Sequence, residues 1–372
     1  MDAASPHQPE RPLWMEIDSA ALAHNLSHVR RLAGHRRLIA SVKANAYGHG
    51  AVEIARKLEA LGIDTLWTGS IVEAIAMREA GIKARILLFA GYLPAEIPQL
   101  LARGFVPTIY DREGALAVNR AARKPAPIYI KVDSGLGRLG VPLPEAESLI
   151  RDIAALPNIQ IEGIYTHLPF GDAAGRDWAQ ARYQGFAALL EHLGSMGIRP
   201  AVTQVWASSG LLAQLPDICN TVCVGHLLYG LSTVSDDVAP ATGLRRAMSA
   251  IKARLIHVAH HAAGEDLAIN SGYGGRNARV TGVVPLGLGD GMRNPIDGQS
   301  LTLLLRDRPV PVLGVSLEHT TLDLTEIGTA ELGDEVIVAG PGGNSIKDLA
   351  RAFGCSELEA LMSFSGRLPA KP

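Results

Sequence analysis

At 372 residues the chain is too long for one ordinary hydrophobic core, so two domains are expected. A 47% hydrophobic and 19% charged composition describes a globular protein, and a net charge of −2 provides no basic footprint for nucleic acid or a membrane surface. Three cysteines (Cys219, Cys223 and Cys355) without metal-type spacing argue against a disulfide scaffold or a metal centre and suit a cytoplasmic protein.

Residues 1–10 are polar and Pro-containing, with no apolar core of a signal peptide, and are expected to be disordered. Residues 13–18 read as a strand. Eight short apolar runs follow, at 38–43, 65–70, 85–91, 106–110, 128–133, 159–167, 201–209 and 221–230. Segments of helical period lie between them. Ser70 with Glu73 reads as a capping box opening a helix that Gly81 stops. A second helix is expected over 180–193, ended by Gly194. Strand alternating with helix predicts an α/β fold, a (β/α)8 TIM barrel, spanning 11–241. The rival, an open doubly wound sheet, needs a G-x-G-x-x-G turn after the first run, and none is there. From about residue 242 to 372 the runs at 253–258, 279–288, 301–305, 310–315 and 335–339 alternate loosely between turn signals. They predict a mostly antiparallel β domain closed by helices over 345–353 and 355–362.

A barrel concentrates reactive groups at the C-terminal ends of its strands. Lys43 ends the first run, inside Ser41-Val42-Lys43-Ala44-Asn45-Ala46-Tyr47-Gly48-His49-Gly50. A buried lysine has its charged form disfavoured, which frees the amine for Schiff-base formation. Tyr47 and the glycine turn can offer a hydroxyl and backbone N–H groups to a phosphate. Asp133 and Arg138 follow the fifth run in Lys131-Val132-Asp133-Ser134-Gly135-Leu136-Gly137-Arg138, where the guanidinium is a fixed cation for a phenolate or carboxylate. His167 ends the sixth run, Ser209 the seventh, and Gly225 lies in the eighth.

The Lys43 and Arg138 strings resemble those of the alanine racemase family, and the similarity runs from about residue 11 to about residue 369. The resemblance implies pyridoxal 5'-phosphate bound covalently through Lys43, an amino-acid substrate, and a homodimer with sites at the interface. It also implies that the 11–18 strand joins the C-terminal domain. Lys43, Arg138 and His167 would be the catalytic set, with His167 packing on the cofactor ring and Arg138 on its ring oxygen and on substrate. Lys131, carbamylated in some members, would orient Arg138. Tyr47, Ser209, Gly225 and His226 would hold the phosphate. Leu317 would lie on the substrate carboxylate, in Leu317-Glu318-His319 where the family has Met-Asp-Gln.

Several positions depart from the family pattern. Ala207-Ser208-Ser209-Gly210 replaces Ala-Asn-Ser-Ala, and Leu358 stands where a phosphate-binding tyrosine is usual. Cys223 replaces the arginine that keeps the ring nitrogen unprotonated, so either the ring carries a proton or Cys223 merely fills space. Leu288, in Gly287-Leu288-Gly289-Asp290-Gly291, replaces the tyrosine that supplies the second base across the dimer. Racemisation by two bases needs a proton-transfer group on each face, and leucine has none. Tyr273, His319, His226 and a water are the substitutes open on sequence. The alternatives to a racemase are retro-aldol cleavage of β-hydroxy amino acids, decarboxylation or one-face proton transfer, and a catalytically weak cofactor-binding relative.

Overall fold

The computed structural model describes residues 11–89, 91–240, 243–265, 267, 279–366 and 368–371. The expectation of disorder for residues 1–10 and the candidate Tyr273 lie outside the described residues. The chain separates into two compact units, one built from 19–46 and 51–247, the other from 11–18, Tyr47–Gly50 and the chain from Met248 on.

The first unit is a closed parallel barrel. Its strands are Arg37–Ser41, Thr65–Thr68, Arg85–Leu88, Val106–Ile109, Ala126–Asp133, Ile159–Tyr165, Val202–Gln204 and Thr221–Val224. They neighbour one another in chain order, and pairing of the last with the first (Cys223 opposite Ile39) closes the ring. All eight expected runs are strands, though most end earlier than the apolar run does. Ser209 and Gly225 therefore sit in the loops beyond their strands, and Lys43 and His167 each lie two residues past a strand end. A buried apolar run continues into the loop when the loop itself is covered, so hydrophobicity alone overestimates strand length.

Alternate strand residues fill the barrel interior. Ile39, Trp67, Leu87, Val106, Tyr129, Tyr165 and Val202 form one buried cluster, with Phe89 and Cys223 against it. The Trp67 and Tyr165 rings meet edge-on at 4.7 Å, and Gly163 leaves room for Tyr129, whose ring lies 2.4 Å from where a Cβ would stand. A larger apolar cluster between strands and outer helices includes Ile128, Ile150, Ile164, Phe186 and Trp206.

The helices do not alternate with strands as evenly as expected. The seventh strand leads only to the five-residue helix Ser208–Leu212, and the eighth to a 3-10 turn, His226–Tyr229. The N-terminal helix Ser19–Ala33 packs beside that turn instead. Its buried Asn25 donates to the carbonyls of Leu228 (3.0 Å) and Arg245 (2.6 Å) and accepts the Arg245 N–H at 2.8 Å. The helix expected over 180–193 runs from Ala173 to Ser195. Asp172 caps its start by accepting the Gly175 N–H at 2.8 Å. Gly194 stays helical, and the left-handed residue that stops the chain is Gly197, with φ 85°.

The second unit is a nine-stranded sheet. Its order is His257–His261, Arg279–Val284, Thr320–Asp323, Arg308–Val315, Thr302–Leu305, Glu335–Ala339, Met248–Arg254, Leu13–Ile17 and Ala370–Lys371. All pairings are antiparallel except the last. The Leu13–Ile17 strand joins this sheet, as the resemblance implies. The apolar run at 253–258 spans the end of one strand and the start of another, and Thr320–Asp323 has too few apolar residues to stand out in sequence. Helices Ile346–Phe353 and Glu357–Ser363 each begin with a reciprocal serine cap, Ser345 with Asp348 and Ser356 with Glu359.

Candidate functional site in the barrel

Lys43 opens an unusual turn. The next four residues, Ala44, Asn45, Ala46 and Tyr47, all have φ of 53–54°, one turn of left-handed helix. For L-residues other than glycine this costs roughly 1–2 kcal/mol each, so the surroundings must hold it. The Ala46 N–H returns to the Val42 carbonyl at 2.9 Å. The Asn45 side-chain oxygen accepts the Ala51 N–H at 2.8 Å, and the Asn45 N–H donates to Glu73 Oε1 at 2.7 Å. Glycines were expected to make this turn; Gly48 and Gly50 are also left-handed, but they come after it.

Lys43 is half-buried, with its Nζ 5.7 Å from the centre of the Phe89 ring. Burial holds its amine below the usual lysine range; Cys223 opposes the shift and Arg138 adds to it. Lys131 is 3% exposed, and burial with repulsion from Arg138 brings its amine down to about 8.

Arg138 rides on a loop anchored by one carboxylate. The two Asp133 oxygens accept the N–H groups of Gly135, Leu136 and Gly137 at 2.8–2.9 Å. Gly140 has φ 130°, and a Cβ there would lie 2.6 Å from the Asp133 nitrogen, so this return of the loop requires glycine. The Arg138 side chain itself is exposed.

His167 and His226 are both held neutral. Burial is the main cause in each, reinforced by Lys43, and brings His167 to about 3 and His226 to about 4. An unfolded imidazole takes up a proton below its ordinary value near 6.5, whereas these accept one only at those lower values. Stability is therefore full above pH 6.5 and declines as the pH falls from 6.5 toward about 3. Urea midpoints of the cofactor-free chain at about pH 7.5 and about pH 5 should differ less in His167→Asn than in the parent. An equal drop in both would remove His167 from this account.

Ser209 is buried in the first turn of Ser208–Leu212. Gly210 lets that turn pass against Trp206, whose ring would lie 2.7 Å from a Cβ. Ser208, which stands where the family has asparagine, accepts the Gly225 N–H at 3.2 Å. That amide, expected to face a phosphate, is thus engaged by a side chain. The Cys223 thiol is pushed up to about 12 by burial and is not a ready nucleophile. The Thr166 hydroxyl is buried with no partner among the described residues.

The fold therefore brings Lys43, Lys131, Arg138, His167, Cys223 and His226 within electrostatic reach of one another. Ser209 and Gly225 lie in consecutive loops joined through Ser208. Tyr47 and Leu317 belong to the other unit. There Tyr47 is 5% exposed, Leu317 is 73% exposed and Leu288 45% exposed. His319 is an exposed turn residue whose N–H donates to Ser316 Oγ. Sequence reasoning missed Glu73 and Asp133 as supports. The serine-to-glutamate spacing at Ser70 did flag Glu73, but as a cap. Ser70 does accept the Glu73 N–H at 3.2 Å, yet the Glu73 carboxylate turns to Asn45 and to Thr68 Oγ1 at 2.5 Å rather than back to the Ser70 N–H.

The residues present suit a phosphorylated aromatic aldehyde: an amine of lowered basicity, a guanidinium, neutral imidazoles and buried hydroxyls. Residues 17–233 match the family model for the alanine racemase N-terminal domain, and 248–371 that for the alanine racemase C-terminal domain. The chain is 32% identical over 368 residues to an alanine racemase of Thermodesulfovibrio yellowstonii, covering 96% of each chain. It is 30% identical over 366 residues to one of Symbiobacterium thermophilum, again covering 96% of each. Among solved structures, an alanine racemase of Clostridium difficile 630 superposes with a TM-score of 0.87 at 26% identity, covering 98% of this chain and 96% of that one. One from Streptomyces lavendulae gives 0.83 at 27% identity, covering 98% and 97%. Both domain models match in order, relatives align along nearly the whole length, and the lysine-bearing turn sits at the mouth of the barrel: the chain belongs to the alanine racemase family.

Proposed function

We propose that this chain is a pyridoxal-phosphate-dependent amino-acid racemase working with one efficient proton-transfer group instead of two. The observation that carries the reading is Lys43, half-buried on a left-handed turn, its amine depressed by burial and facing Arg138. The cofactor, when bound, supplies an electron sink that makes the Cα proton of an amino acid removable. Lys43 would anchor it and, once released, serve as base on one face. Arg138 would orient anionic oxygens. His167, neutral across the working pH range, would pack flat without adding charge. Ser209, Tyr47 and His226 would hold the phosphate, with Gly225 contributing less because its N–H is taken by Ser208. The named relatives are alanine racemases, which supports an amino-acid substrate and a homodimer.

A second reading, a different pyridoxal-phosphate reaction on this frame, is favoured by Cys223 and Leu288 together. A neutral thiol in place of a cation permits a protonated ring nitrogen, and a missing second base disfavours racemisation. Holoenzyme incubated with D- and L-amino acids, β-hydroxy amino acids included, separates the readings. Enantiomer formation supports the first; aldehyde or CO2 release supports the second; silence leaves a binding protein.

Removing one charge-assisted donor costs about 1–3 kcal/mol. Ser209→Ala should therefore weaken cofactor retention by that amount, read by equilibrium dialysis, and Tyr47→Phe should do likewise. Unchanged affinity in both would move the phosphate elsewhere.

A further inference from the structure

We infer that Glu73 positions Lys43, acting as the clasp that keeps the lysine-bearing turn left-handed. The inference rests on Lys43 as the attachment residue and adds what holds it in place. Two amides bracket Lys43, and both are tied to the neighbouring strand–loop–helix segment. The Val42 N–H donates to the Trp67 carbonyl at 2.9 Å, and the Asn45 N–H donates to Glu73 Oε1 at 2.7 Å. Glu73 Oε2 accepts the Thr68 hydroxyl at 2.5 Å, and that same hydroxyl oxygen accepts the Ser70 N–H at 3.2 Å. Thr68 is fully buried.

Both carboxylate oxygens are thus committed, one to the turn and one to the strand end. The helix cap gives up the reciprocal bond that its sequence offers. Four successive residues in a left-handed turn are strained, and without the clasp the chain gains by relaxing toward ordinary φ values. Relaxation swings the Cα of Lys43 and with it the amine. Glu73 touches neither the amine nor the reacting atoms; its effect passes through the backbone.

The test uses the full-length chain and two measurements. Amide hydrogen exchange over residues 44–47 is read in the cofactor-free protein, and pyridoxal phosphate affinity with the borohydride-fixed adduct at Lys43 is read in the loaded one. Glu73→Ala should speed exchange in that segment and weaken retention, each by about tenfold to a hundredfold, the effect of losing a hydrogen bond to a charged acceptor. Glu73→Gln keeps an oxygen for the Asn45 N–H and an amide for Thr68, and should recover most of both. Thr68→Val removes only the second anchor and should fall between, which keeps the proposal testable where Glu73→Ala folds poorly. Exchange and retention in Glu73→Ala equal to the parent would overturn the proposal, as would Gln failing as badly as Ala. A parent chain with no adduct at Lys43 would instead refute the attachment reading, and the exchange measurement would still decide the clasp.

Discussion

Lys43→Ala should carry no borohydride-stable pyridoxal phosphate adduct and show no turnover above background, while folding as the parent does. The amine is placed by the turn rather than by packing, and burial already disfavours its charged form. Removing it takes away no large stabilising contact, so the denaturant midpoint should hold or rise slightly. The informative competitor is Lys131, whose amine is brought down to about 8 and lies 5.9 Å from the Tyr165 ring centre inside the barrel. An adduct that survives in Lys43→Ala and maps to Lys131 by peptide mass would refute the assignment. Loss of the adduct with loss of the folded signal would call for Lys43→Arg, which keeps length and charge but cannot form the linkage.

The next largest effect is expected at Leu288. Its turn is rigid: the Leu288 and Gly289 N–H groups donate to the Ser316 and Leu317 carbonyls, each at 2.9 Å. Asp290, 1% exposed, accepts the Gly287 N–H at 3.1 Å and pairs with both terminal nitrogens of Arg11 at 2.6 and 3.1 Å. The backbone is therefore set, and only the side chain lacks proton-transfer chemistry. In the family a tyrosine here serves the L face and the lysine the D face. The parent should accordingly exchange the Cα proton of the D-enantiomer into heavy water faster than that of the L-enantiomer, and should racemise alanine slowly. Leu288→Tyr should raise racemisation by about 10²–10⁴, the usual worth of one well-placed acid–base group. Fast, symmetric racemisation by the unaltered chain would show that another residue holds the role, and His319→Ala and Tyr273→Phe would then locate it.

Much of the site is legible in the chain because its groups are local in sequence. Lys43 with Tyr47, and Asp133 with Arg138, sit in short strings whose glycines and apolar approach reveal a strand end and a loop. What is not legible depends on contacts between loops. Nothing in Ala44-Asn45-Ala46 announces four left-handed residues, since alanine disfavours that region. The turn exists because Glu73, 28 residues on, reaches across to Asn45. The same cause explains the misread capping box: the serine-to-glutamate spacing was right, but a better-placed donor in a neighbouring loop drew the carboxylate away. Gly225 was expected to offer its N–H to a ligand, and only the packed loops show Ser208 already accepting it.

The barrel and the β unit were determined by the sequence itself. Buried strands must be apolar whatever surrounds them, and eight such runs separated by helical period admit few closed arrangements. The chain also determined the absence of a phenol at Leu288 and of a guanidinium at Cys223, which are facts of composition. Tertiary structure alone decided where strands stop, which helix covers the last strand, and how basic each amine and imidazole is. Desolvation and charge proximity set those values, and both arise only when loops distant in sequence converge at one end of the barrel.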